Sequence, residues 1–176
     1  MEIKPPKAIL FDWNNTLTKA SERIHRARRL AFSGDAYSDL SSCAISGAEP
    51  LLDFLQSKSI YIALVSNEHG DSLREEVQSM HWEKYFSRVV GAGDAAESKP
   101  SAAPVKLALE DSGISPGEEV WFVGDSAIDM ECAHNSHLTS VLYGPESPEL
   151  FIHSMSYRPH LHITDYAGMI DLLKRL

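Results

Sequence analysis

Five short apolar runs recur along the chain, each leading into glycine or a polar turn: Ala8-Ile9-Leu10-Phe11, Ile60-Tyr61-Ile62-Ala63-Leu64-Val65, Val89-Val90, Val120-Trp121-Phe122-Val123 and Thr139-Ser140-Val141-Leu142-Tyr143. Runs that are apolar on both faces suit central strands of a parallel sheet covered by helices on both sides. Helical spacing fills the intervals. Pro50 to Gln56 carries Leu51, Leu52, Phe54 and Leu55, and Ser72 to Met80 carries Leu73, Val77 and Met80. Val105–Leu109 and Met169–Leu173 repeat the pattern. This repeated order predicts an α/β chain: a five-stranded, mainly parallel, doubly wound sheet between two helical layers. Such sheets hold ligands at the carboxyl ends of their strands.

The sequence has 176 residues, 43% of them hydrophobic, which fits one domain over residues 1–176. Twenty-five acids against sixteen bases leave −9. General attraction to nucleic acid or an anionic membrane is therefore not expected. The longest apolar run, Ile60 to Val65, has six residues, where a membrane helix needs about 20. The start Met1-Glu2-Ile3-Lys4-Pro5-Pro6 lacks the order of a secretory signal. Cys43 and Cys132 stand far apart with no CxxC, which predicts neither a disulfide framework nor a zinc clip. A reduced, soluble, cytoplasmic protein is the expectation.

One interval breaks the rhythm. Residues 18–47 separate the first strand from the next helix and read as a small insertion over the strand ends. Lys19 to Phe32 has an amphipathic helical pattern with Ala20, Ile24, Ala27 and Ala31 on one face, and Ser33 to Ser46 reads as loop. Lys19, Arg23, Arg26, Arg28 and Arg29 outweigh Glu22 there. These charges either form a solvated helix face or gather an anionic substrate.

Four polar spots fall at predicted strand ends: Asp12-Trp13-Asn14-Asn15-Thr16, Ser66-Asn67, Lys99-Pro100, and Gly124-Asp125-Ser126 with Asp129 in the first turn of a helix. Each alone is an ordinary turn, cap or surface feature. Together they bring acids, a hydroxyl and a lysine to one edge of one sheet. That set suits a divalent cation and a phosphoryl group. Carboxylates are hard oxygen ligands for Mg²⁺, and lysine with a hydroxyl orients phosphate oxygens.

The order and spacing of these spots resemble the haloacid dehalogenase-like superfamily. Asp12-Trp13-Asn14-Asn15-Thr16 is similar to its strand-DxDx[TV] motif except at Asn14. Ser66, Lys99 and Gly124-Asp125-x-x-x-Asp129 stand where its other three motifs do. Phe11-Asp12-Trp13-x-Asn15-Thr16-Leu17 and Gly124-Asp125-Ser126 resemble the phosphoglycolate phosphatase-like branch.

The resemblance implies a HAD-like three-layer fold in which 18–47 takes the place of a very short helical cap. Such a lid leaves an open site, suited to a bulky phosphorylated substrate or to closure by a second subunit in a homo-oligomer. The resemblance also implies a phosphatase with Asp12 as nucleophile and Mg²⁺ held by Asp12, the Asn14 carbonyl and Asp125. Ser66 and Lys99 would bind the phosphoryl group. Thr16, Asn67, Gly124, Ser126 and Asp129 would bind phosphate or support the site.

Asn14 stands where phosphatases of the family carry a second Asp as general acid and base. An amide has no titratable proton near neutral pH. Three readings are open: a pseudo-enzyme or slow phosphatase, a substitution made to trap an intermediate, or a substrate whose leaving group departs unassisted. A phosphate- or partner-binding scaffold without turnover competes with all three. Outside these motifs, His160-Leu161-His162 reads as alternate residues of a strand rather than a metal site, and Trp13 as a substrate platform or a core residue under the insertion.

Overall fold

The computed structural model describes residues 3–20, 43–144 and 156–176. The elements run β1 (Ala8–Phe11), α1 (Ala48–Ser57), β2 (Tyr61–His69), α2 (Gly70–Ser79), β3 (Arg88–Ala92), α3 (Ala103–Leu109), β4 (Val120–Gly124), α4 (Ala127–Asn135), β5 (Thr139–Tyr143), β6 (Leu161–Ile163) and α5 (Tyr166–Leu173). The strands form one six-stranded sheet in the order β3-β2-β1-β4-β5-β6, and every pairing is parallel.

The predicted architecture is therefore found, with one strand more than expected. Leu161 of β6 pairs with Val141 of β5, so the short stretch holding His162 extends the sheet. His162 Nε2 lies 3.0 Å from the Gly144 carbonyl, and His160 Nδ1 accepts the Ser140 backbone N–H at 3.0 Å. The three residues of β6 are too few to show as an apolar run.

Alternation along each strand splits the core into two layers. Ile9, Phe11, Ile62, Leu64, Trp121 and Val123 face Leu51, Leu52 and Leu55 of α1, Leu73 and Val77 of α2, and Met169 of α5. Ala8, Leu10, Ala63, Val65, Val120 and Phe122 face Val105, Ala108 and Leu109 of α3 and Cys132 and Ala133 of α4. Both cysteines are free and buried, and burial raises the Cys132 thiol to about 12. It is an inert packing group at neutral pH.

Chain order reverses at β1, which pairs with β2 on one side and β4 on the other. The crevice of a doubly wound sheet opens at this switch point, beyond the carboxyl ends of the strands. Asp12 follows β1, and Asp125 follows β4. The Asp12 N–H donates to the Val123 carbonyl at 2.9 Å, which ties the two strand ends together.

The insertion closes at its base. Thr18 forms an antiparallel bridge with Ala44; Lys19 N–H donates to the Cys43 carbonyl at 2.8 Å, and Ile45 N–H to the Leu17 carbonyl at 2.9 Å. Residues 21–42, with Arg23, Arg26, Arg28 and Arg29 and most of the expected helix, lie outside the described residues. No helix among the described residues is long and apolar enough to cross a membrane.

Candidate active site

A cleft of about 450 Å³ sits at the switch point and is lined by the ends of β1, β2 and β4, the start of α4, and Lys99. The turn after β1 is set by local chemistry. Asn15 adopts φ 58°, a left-handed conformation that Asn tolerates better than most residues. Its N–H donates to the Thr18 carbonyl at 2.6 Å, and Leu17 N–H to the Trp13 carbonyl at 3.0 Å. The chain thus reverses at once and leaves Asp12 at the cleft floor, nearly buried.

Trp13 points the other way. It is fully buried, edge-on to Trp82 and Phe86, with its indole N–H donating to Glu76 at 2.7 Å. It is a core residue packed on the segment between α2 and β3, so the substrate-platform reading is withdrawn.

Lys99 reaches the floor from the loop before α3. Its Nζ lies 2.6 Å from Asp12 Oδ1 and 2.7 Å from Asp129 Oδ1, with all three side chains nearly excluded from solvent. Burial alone would lower the lysine, but the Asp129 and Asp12 carboxylates outweigh it and hold the ammonium charged. Asn67 fixes the lysine's backbone. Its side-chain N–H donates to the Lys99 carbonyl at 3.1 Å, and its side-chain oxygen accepts the Lys99 N–H at 3.0 Å. That amide imitates a strand neighbour and positions Lys99.

Asp129 is held as firmly. Its second oxygen accepts from the Ser126 N–H at 3.0 Å and the Ser126 hydroxyl at 2.6 Å, forming a capping box at the start of α4. Gly124 makes room for this. A Cβ there would lie 2.4 Å from Cβ and Cγ of Asp129. Ser126 is thus engaged with the helix start.

Asp12, Asp125 and Asp129 offer carboxylate oxygens within 4.8 Å of one another, the acidic cluster that stands out among the described residues. Burial, then the neighbouring Asp129 and Asp12 charges, push Asp125 up to about 6. Burial is also the main force raising Asp12, and Lys99 opposes it. Thr16 Oγ1 stands between the two strand ends, 3.4 Å from Asp12 Oδ2 and 3.5 Å from Asp125 Oδ1.

Ser66 and Asn67 were expected in a turn after β2, yet the strand runs on to His69. Its pairing with β3 shifts register after Val65 and resumes at His69↔Ala92. The close approach depends on glycine, since a Cβ on Gly91 would meet the Gly70 Cα at 2.4 Å. The extension brings Glu68 to the cleft, where it accepts from the Asn14 side-chain amide at 3.0 Å. Sequence reasoning passed over Glu68. Its signal was parity with Ser66, had the strand been carried two residues further.

The predicted residues Asp12, Asn14, Ser66, Asn67, Lys99, Asp125, Ser126 and Asp129 all line this one cleft, with Asn15, Glu68, His69 and Ile128 beside them. A second cavity, about 510 Å³, lies at the opposite ends of the strands. There Lys4 pairs with Glu118 at 2.8 Å and Lys7 with Glu119 at 2.6 Å, so its charges compensate one another and no acid cluster forms.

A family model for haloacid dehalogenase-like hydrolases matches residues 35–143. The chain belongs to that family. The phosphoglycolate phosphatase of Escherichia coli (strain K12) is 34% identical over 90 residues, covering 51% of this chain and 35% of that protein. That of Salmonella typhi is 32% identical over the same length. This haloacid dehalogenase-like chain therefore spans about a third of the length of those curated relatives. A HAD-superfamily hydrolase from Ehrlichia chaffeensis superposes with a TM-score of 0.77 at 26% identity, covering 99% of each chain. One from Geobacter sulfurreducens, at 20% identity and a TM-score of 0.69, covers 95% of this chain and 99% of its own and shares the fold. The resemblance to the phosphoglycolate phosphatase-like branch is thus met again in the 90 residues matched to these relatives.

Proposed function

We propose that the chain is a Mg²⁺-dependent phosphomonoesterase that works through an aspartyl-phosphate on Asp12 and is slowed by Asn14. The observation that carries this reading is the Lys99 ammonium fixed between Asp12 and Asp129 at 2.6 and 2.7 Å beside a third, half-buried acid, Asp125. Membership of the hydrolase family and the phosphoglycolate phosphatase relatives support it.

The donor set fits a hard divalent cation. The family resemblance gives Asp12, Asp125 and the Asn14 carbonyl as the ligands, with Asp129, which serves Lys99 and Ser126, in support. The raised Asp125 reflects burial first and then the neighbouring Asp129 and Asp12 charges, and a cation would relieve that crowding of negative charge. When bound, the ion would shield the charge between carboxylate and phosphoryl group.

The chain's own residues do the rest. Asp12 attacks phosphorus; its bond to phosphorus forms as the ester P–O bond breaks and the alkoxide leaves. Lys99 opposes the effect of burial on Asp12 and so favours its ionised form, and with Ser66 it binds phosphoryl oxygens. Water then attacks the phosphorus, releasing phosphate and regenerating Asp12. Asn14 supplies no proton to the alkoxide and takes none from the water, so both halves are slow unless the leaving group is good. This reading places the enzyme in the cytoplasm, with 18–47 as a minimal cap in a single domain and a phosphorylated substrate, small or larger, reaching an open cleft. Closure of that cleft by a second copy belongs to the same reading.

A second reading is a phosphate-binding scaffold without turnover. The Asn14 amide donating to Glu68 favours it, because that hydrogen bond needs an amide rather than an ionised acid. Hydrolysis of an aryl phosphate with and without Mg²⁺ separates the two. Metal-dependent release of phosphate supports the enzyme; phosphate binding with no release and no adduct on Asp12 overturns it.

A further inference from the structure

Tyr166 opens α5, more than a hundred residues after the nucleophile turn, yet its hydroxyl donates to the Thr16 carbonyl. The side chain is fully buried. Its ring stacks on Tyr143, with centroids 4.6 Å apart and planes 12° apart. On another side it is fitted to Gly47, where an added Cβ would come within 3.3 Å of the Tyr166 Cβ. The start of α5 is fixed as well, because Asp165 caps it by accepting the Gly168 N–H at 2.8 Å. The hydroxyl is therefore delivered from a rigid support.

Thr16 is the residue where this support meets the chemistry. It has a single hydroxyl proton and two carboxylates in reach, at 3.4 and 3.5 Å. Both contacts sit at the outer edge of hydrogen bonding, so a shift of a few tenths of an ångström in the Thr16 backbone decides whether they persist. The turn's own hydrogen bonds, Asn15 N–H to Thr18 and Leu17 N–H to Trp13, flank Thr16, and the Tyr166 hydroxyl adds the contact to its carbonyl.

We propose that Tyr166 is a positioning residue for the acidic site: through the Thr16 carbonyl it sets where Thr16 stands between Asp12 and Asp125. The inference rests on the phosphomonoesterase reading and adds to it a link from the C-terminal helix to the nucleophile turn. Partners that orient ligating carboxylates typically cost 10–100-fold in affinity or activity when removed.

The test is Tyr166→Phe, which keeps the ring stack and removes only the hydroxyl. Binding of beryllofluoride, a phosphoryl mimic, is measured by calorimetry with and without Mg²⁺, beside the thermal midpoint. The expected result is an affinity about tenfold weaker, with no change in Tyr143→Phe. The double variant Tyr166→Phe/Thr16→Val binds no more weakly than Thr16→Val alone, the coupling expected of two residues in contact. Additive binding losses, binding unchanged in Tyr166→Phe, or a variant that loses its fold all assign Tyr166 to core packing and overturn the inference. Absence of Mg²⁺-dependent binding in the unaltered chain overturns the phosphomonoesterase reading itself, together with this inference.

Discussion

Lys99 and Asp12 are 87 residues apart in sequence and 2.6 Å apart at Nζ and Oδ1, in a place from which water is almost excluded. Breaking a buried ion pair by removing one partner typically costs about 3–5 kcal/mol, because the remaining charge is stranded. Lys99→Met leaves two acids, Asp12 and Asp129, facing each other. Denaturant unfolding is expected to show a loss of that size at pH 8 and a smaller one at acid pH, where Asp12, raised by burial, takes up a proton. A loss independent of pH would contradict the pairing.

Cation affinity should follow Asp125. Its carboxyl titrates near 6 in the metal-free protein, and a ligating carboxylate must be ionised. Mg²⁺ affinity therefore falls as pH drops through about 6, and calorimetry at pH 5 and 7.5 reads it directly. Stability of the metal-free protein runs the opposite way. A carboxyl raised on folding favours the fold when protonated, and that contribution is lost as pH rises through about 6. The thermal midpoint at pH 7.5 should rise with added Mg²⁺ in the unaltered chain and not in Asp125→Asn.

Restoring the acid tests the slow step. A positioned general acid and base contributes about 10²–10⁴ in rate, so Asn14→Asp should raise turnover of an alkyl phosphate by that factor with little change in KM. With an aryl phosphate, whose leaving group needs less protonation, the gain at the first step shrinks. The unaltered chain should then accumulate a hydroxylamine-sensitive adduct on Asp12, visible by mass. Ordinary phosphatase rates in the unaltered chain would assign the proton to another group.

Gly124→Ala should disturb the site more than its size suggests. The added methyl would fall 2.4 Å from Asp129, and overpacking of this kind costs typically 1–3 kcal/mol. Asp129 must move, so both the Ser126 cap and the Lys99 contact loosen. Phosphate binding is expected to weaken together with thermal stability; a well-folded variant with unaltered binding would show that Asp129 has slack.

Much of this was legible from residue order. Apolar runs buried on both faces dictate a covered parallel sheet, and a covered parallel sheet gathers its post-strand residues at one edge. Asp12, Lys99, Asp125 and Asp129 were therefore readable as neighbours before any coordinates. The extension of β2 was not, because Ser66 to His69 carry turn-like residues and continue as strand only through contact with β3 and the space at Gly91. Trp13 faced inward because Trp82 and Phe86 pack against it, a partnership set by tertiary structure. Tyr166 carried no local signal either, since its meeting with Thr16 depends on the whole sheet lying between them.

The bridge between Thr18 and Ala44 separates two evolutionary problems. The six described strands and the acids at their ends all lie outside the stretch between its two ends. Chain closed at its base can also be lengthened cheaply, at about 0.6 kcal/mol for each doubling of a flexible loop. A segment inserted between these two residues can thus be exchanged for another while Asp12, Asp125 and Asp129 stay where they are.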